Sequence, residues 1–82
     1  MSNKQGIIDN FNILIQYYKT EGNYDQHRLR AYNNAVKALK ALDIKDITNI
    51  NQIKGIPGIG KGTIDKVNQY LSNGFIQEVE DI

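Results

Sequence analysis

The sequence predicts an all-α fold, a small domain of four helices of which one is short. Three observations carry this. Apolar residues recur at steps of three and four along most of the 82 residues, no stretch alternates with period two for long enough to make a strand, and glycines stand at the ends of the periodic segments. Ile7, Ile8, Phe11, Leu14, Ile15 and Tyr18 form one stripe of a first helix near residues 4–19. Thr20-Glu21-Gly22-Asn23 breaks it, with Gly22 where a left-handed helix-ending residue belongs. Leu29, Tyr32, Val36 and Leu39 mark a second helix over about 25–42, with Asp25 as N-cap. Thr48 or Asn49 caps a short third helix through Ile53. A fourth, carried by Ile64, Val67 and Leu71, runs from Lys61 to Ser72 and ends at Asn73-Gly74, after which Phe75, Ile76 and Val79 supply a last short turn.

Length and composition bound the function. The chain makes a single domain, residues 1–82, and one this small buries only about 60% of its unfolded surface, too little for both a core and a large cofactor cavity. The absence of cysteine removes disulfides, cysteine-ligated zinc and thiol catalysis, and His27 is the only histidine on which a catalytic relay could turn. No apolar run approaches 18 residues and the N-terminus lacks a signal-peptide pattern, so an intracellular protein without membrane attachment is expected. The net charge of +1 hides an asymmetry. Between Gln26 and Gly74, eight basic residues stand against Asp43, Asp46 and Asp65, while the remaining acids gather toward the two ends. That pattern suggests a surface facing a polyanion, with a solvated helical flank as the plain alternative.

Lys54-Gly55-Ile56-Pro57-Gly58-Ile59-Gly60 cannot be helix: three glycines and a proline in seven residues force a tight turn. Followed by Lys61, it satisfies most of the phosphate-binding loop pattern of nucleotide hydrolases. Gly62 stands where that pattern needs the magnesium-holding Ser or Thr, however, and there is no strand to precede it. The better reading is a helix-hairpin-helix with its hairpin at 54–60. Gly58 and Gly60 let a DNA phosphate approach the main chain, Ile59 anchors the hairpin, and the next helix offers unpaired N–H groups at its N-terminus. Lys61 adds charge there and Gly62 keeps the surface low. Contacts of this kind ignore base sequence. A connector that needs only pliable residues is the alternative; Pro57 and the apolar positions 53, 56, 59, 64 and 67 argue against it.

The run from Lys54 to Lys66, together with His27-Arg28-Leu29-Arg30-Ala31-Tyr32 and Asn33-Asn34-Ala35, resembles the N-terminal helix-hairpin-helix domain of family X DNA polymerases of the beta and lambda type. The order and spacing of the two blocks match, so the resemblance spans nearly the whole chain. It implies a polymerase-beta-like four-helix fold, a place in base excision or gap repair, and a longer parent polymerase. It also implies a lyase that removes 5′-deoxyribose phosphate through a lysine Schiff base. The resemblance puts the nucleophile at Lys66, with Asp65 beside it and Tyr32 at the lyase pocket. DNA contacts fall on His27, Arg28, Lys54, Gly58, Gly60, Lys61 and Gly62. The backbone carbonyls of Lys54, Ile56 and Ile59 match those that hold a monovalent cation, Na+ or K+. The lyase reaction needs no cofactor, and Mg2+ belongs to polymerase domains outside this chain.

For Tyr32 a purely core role stays open, as does a plain surface role for His27. The pattern also departs from the family. Gly62 replaces a phosphate-pocket lysine, and Phe75, Gln77 and Glu78 stand where cations are expected, which implies a weaker grip on a 5′-phosphate. The implied partner is gapped or 5′-phosphorylated DNA, bound by a monomer regardless of sequence, in a nucleus or, for a bacterial or viral source, the cytoplasm. Two other classes remain: a non-catalytic DNA-binding module of a structure-specific nuclease or bacterial-type polymerase, and an adaptor using Tyr17, Tyr18, Tyr24 and Tyr70 as an apolar patch.

Overall fold

A computed structural model describes residues 3–82. Helix α1 (Asn3–Lys19) and helix α2 (Gln26–Ala41) pack against each other to form the larger part of the core. Their apolar stripes are the ones the sequence predicts. Ile7, Ile8, Phe11, Leu14 and Ile15 are buried on α1, and Leu29, Tyr32, Ala35, Val36 and Leu39 on α2. Burying each large aliphatic side chain stabilises the fold by about 1.5–3 kcal/mol. Gly22, at φ +95°, turns the chain between the helices, and the Asp25 carboxylate caps α2 by accepting from the Arg28 amide at 3.1 Å.

The long connection after α2 is held by the start of α1. The Asn3 side-chain amide donates to the Ile47 carbonyl at 2.6 Å and accepts from the Ile47 N–H at 2.7 Å, so that Ile47 is fully buried. Lys4 Nζ donates to the Leu42 carbonyl at 2.8 Å. The expected short third helix is a single 3-10 turn, Ile50–Gln52, capped by Asn49 rather than Thr48. It stops there because the chain turns through Gly55, at φ +81°, only three residues later.

Helix α3 (Lys61–Asn73) follows the hairpin and ends on Gly74, a left-handed cap whose N–H donates to the Tyr70 carbonyl at 2.8 Å. Val67 is its fully buried residue, Ile64 and Leu71 are half-buried, and Thr63 is buried more deeply than either. The last turn is helix α4 (Gln77–Glu80), anchored by fully buried Ile76 and by the Gln77 N–H donating to Gln69 Oε1 at 3.0 Å. The architecture is thus all-α, with no strand among the described residues. No helix of the described chain is long and apolar enough to cross a membrane.

Candidate nucleic-acid interface

The hairpin between the 3-10 turn and α3 is a packed unit. Ile53 and Ile59 are buried at its two ends and Ile56 is half-buried between them. Backbone hydrogen bonds close it, from Lys54 N–H to the Ile50 carbonyl at 3.1 Å and from Ile59 N–H to the Ile56 carbonyl at 3.0 Å. The two glycines of the Gly-Ile-Gly core do different work. Gly58 sits at φ +92° against α2, where an added Cβ would meet the Asn34 carbonyl oxygen at 3.3 Å. Its role in the fold is therefore conformational and internal. Gly60 has an ordinary backbone (φ −95°) and nothing within 4 Å of where a Cβ would stand. It presents bare main chain to solvent, as does Gly62 one step further.

Helix α3 opens on this bare surface. Its N-cap Gly60 has no side chain to satisfy the first amides, and the first N–H bonded back along the chain is that of Ile64, to the Gly60 carbonyl at 3.0 Å. The amides of Lys61, Gly62 and Thr63 thus donate in none of the described backbone hydrogen bonds and lie at the positive end of the helix dipole, an arrangement that suits a phosphate. Lys61 and Lys54 are exposed beside it.

A pocket of about 280 Å³ adjoins the hairpin, lined by His27, Arg28, Ala31 and Tyr32 of α2, by Gly58 and Gly60, and by Gly62, Thr63 and Lys66 of α3. The structure therefore gathers most of the expected site residues on one wall-to-wall surface. Lys54 and Lys61 lie outside the pocket lining, and so does Asp65, an exposed residue of α3. The carboxylate that meets Lys66 is instead Glu78 of α4, whose Oε1 lies 3.1 Å from Lys66 Nζ.

The sequence reading places Glu78 only where a cation is expected and misses that it meets Lys66. Glu78 accepts from the Tyr18 hydroxyl at 2.8 Å and from the Tyr32 hydroxyl at 3.0 and 3.1 Å, and Arg28 Nη1 approaches to 3.4 Å. Arg28 also donates to the Tyr18 hydroxyl and pairs with Asp25 at 3.5 Å. Lys66 Nζ stands 5.7 Å from the centre of the Tyr32 ring. Burial pushes the Glu78 carboxyl up, but the hydrogen bonds from Tyr18, Lys66 and Tyr32 outweigh it and hold the group below its ordinary value. Burial, reinforced by Glu78, drives the Tyr32 phenol far above its own. The core role left open by the sequence is present, with the Tyr32 ring packed on Phe11 at 5.6 Å, while its hydroxyl donates to Glu78. No local signal marks Glu78, which meets Tyr32 and Tyr18 only because α4 folds back across 46 and 60 residues onto α2 and α1.

The four tyrosines of the adaptor reading do not make one exposed patch. Tyr18 is tied to Glu78, Tyr70 packs beside Gly6, Tyr17 is half-buried against Tyr18, and Tyr24 alone is well exposed.

The decisive comparison is with protein families: residues 2–75 match the model of a helix-hairpin-helix domain. The chain belongs to that family. No curated protein matches it. As a helix-hairpin-helix domain it binds DNA.

Proposed function

We propose that this helix-hairpin-helix domain grips the DNA backbone at gaps and 5′-phosphorylated ends, independently of sequence, as the DNA-binding domain of a family X polymerase acting in gap or base excision repair. The observation that carries the binding reading is the bare surface of Gly60 and Gly62 at the start of α3, whose first three amides donate in none of the described backbone hydrogen bonds. A backbone phosphate seats there without contacting any base, and Lys61 and Lys54 add charge at the rim. A monovalent cation in the hairpin is part of the same proposal. Among the described backbone hydrogen bonds, the carbonyls of Lys54 and Ile59 accept none, and that of Ile56 keeps a lone pair beyond its bond to Ile59. These three oxygens would contribute ligands to such an ion, which would supply positive charge to a phosphate oxygen.

Anisotropy titrations with labelled gapped DNA test this reading. Affinity is expected to be the same across unrelated sequences and to fall with salt at a slope of about −0.9 per neutralised phosphate, two or three phosphates in all. Gly60→Val should weaken every sequence equally while the helical circular dichroism stays unchanged. Undiminished affinity in that variant would remove the hairpin as the phosphate site. Replacing Na+ or K+ by a bulky organic cation at equal ionic strength should also weaken binding.

The enclosure of Lys66 and Tyr32 in a pocket beside the hairpin favours a second activity, removal of 5′-deoxyribose phosphate. The Lys66 ammonium first gives a proton to solvent, and the amine so formed adds to the C1′ aldehyde; water leaves, giving an imine. Loss of the C2′ proton to solvent breaks the C3′–O bond and frees the downstream strand with a 5′-phosphate, and water then hydrolyses the imine to regenerate the amine. Only a lysine here can form that imine. Lys66→Ala should remove most of the borohydride-trapped adduct with little change in DNA affinity, and Lys61→Ala should do the reverse. If the parent protein traps nothing, the domain is a DNA clamp of the non-catalytic class.

A further inference from the structure

The two cations that line the pocket are both already paired within the chain. Lys66 meets Glu78 at 3.1 Å, and Arg28 lies between Glu78 at 3.4 Å and Asp25 at 3.5 Å. Apart from His27, the remaining lining is glycine, alanine, the Tyr32 ring and Thr63. We propose that Glu78 is a built-in counter-anion that sets the selectivity of this pocket. By satisfying Lys66 and Arg28 from within, it leaves these two cations almost nothing to offer a terminal phosphate, so that a 5′-phosphorylated end is held by the hairpin and the pocket receives the sugar beside it. The proposal rests on the reading of the pocket as the seat of a DNA end.

Docking of α4 does not by itself call for a carboxylate at this position. Ile76 is fully buried and the Gln77 amide is held by Gln69, so the turn is anchored on either side of the chain entering it. The Tyr18 and Tyr32 hydroxyls would donate equally to an amide oxygen. What only a carboxylate supplies is the negative charge, brought by α4 from outside the pocket against a cation of α2 and a cation of α3. An incoming phosphate must either displace it from Lys66 or sit beside a like charge, and each option cancels the gain a free lysine and arginine would offer. The carboxyl is held below its ordinary value, so the counter-charge is in place throughout the neutral range.

Nuclear magnetic resonance titrations of the 15N-labelled chain with thymidine 5′-monophosphate and with thymidine test this, read at the amides of Ala31 and Tyr32 on the α2 wall of the pocket rather than at the phosphate-seating amides of α3. For the parent protein the two dissociation constants should agree within about twofold, and in Glu78→Gln the monophosphate should gain about tenfold over thymidine. Tyr18→Phe removes a hydrogen bond to Glu78 but no charge, and should keep the parent ratio. A parent that already prefers the monophosphate tenfold overturns the proposal. So does an unchanged ratio in Glu78→Gln, an equal gain in Tyr18→Phe, or the absence of binding by either ligand. Gapped DNA bearing a 5′-phosphate or a 5′-hydroxyl, run in parallel, separates the two readings. Loss of DNA binding with the nucleoside results intact rejects the DNA-end reading and leaves the role of Glu78 standing.

Discussion

A carboxylate that accepts from two phenols and pairs with a lysine is hard to replace, because each donor it leaves behind is partly desolvated. Truncating Glu78 strands the Tyr32 hydroxyl and the Lys66 ammonium, whose side chain is only 18% exposed. Glu78→Ala is therefore expected to lower stability by about 1–3 kcal/mol, measurable as a shift of the urea midpoint without a change in m-value. The same contacts predict an acid dependence. The folded carboxyl titrates below the ordinary value of 4.5, so the unfolded chain takes up the proton first. The stabilisation is complete above that value and is lost as pH falls through the lower, folded one. Urea midpoints collected from pH 6 to pH 3 should fall more steeply in the parent than in Glu78→Gln. The Tyr32 phenol has the opposite sign: raised by burial, it contributes stability at neutral pH that declines only in strong alkali.

At the scale of elements, the hairpin divides its labour between two glycines that look equivalent in the motif. Gly58 needs its positive φ and its tight approach to the α2 backbone, so Gly58→Ala should cost roughly 1–2 kcal/mol from the left-handed conformation alone. Gly60→Ala meets nothing and adopts an ordinary backbone, so its thermal midpoint should stay near the parent's while its DNA affinity drops. Paired melting and anisotropy measurements on both variants check the division; equal destabilisation of the two would contradict it. Helix α4 is four residues long and cannot persist alone. It exists because Ile76 is buried beneath it, and Ile76→Ala should cost about 2–5 kcal/mol. In the folded fraction of that variant, amide exchange should quicken over 77–80 first, where the backbone depends on the lost anchor.

For the whole molecule, stability rests on closing a chain with a small core. The Asn3 side chain makes two hydrogen bonds to Ile47 across 44 residues, and they hold the loop that carries the 3-10 turn and leads into the hairpin. Asn3→Ala leaves both backbone groups of a fully buried residue unpaired and should cost about 1–3 kcal/mol. In a domain of this size each 1 kcal/mol lowers the melting temperature by roughly 4–8 °C. A calorimetric scan that shows no shift would mean water satisfies the loop equally well. The charge layout also belongs to this scale. The near-neutral total conceals basic hairpin and helix flanks, and α4 brings one of its acids, Glu78, directly onto the pocket cations.

The all-α class, the first two helix stripes, the Asp25 cap, the Gly74 stop and the hairpin were legible in the sequence because each depends on neighbours within a few residues. A period of three to four, a carboxylate three residues before an amide and a glycine at a turn act locally, so their spacing reveals them. The grouping of Lys66, Tyr32, Arg28 and His27 was legible only through the resemblance, since nothing in their spacing brings α2 beside α3. Three things were decided by tertiary structure alone. Asp65 follows its own helix face to solvent, Gly58 is pressed against α2, and Glu78 becomes the partner of Lys66. Helical periodicity says which face of a segment is apolar but not which distant segment will cover it. The position of Glu78 depends on how Ile76 docks into a core built by the other helices.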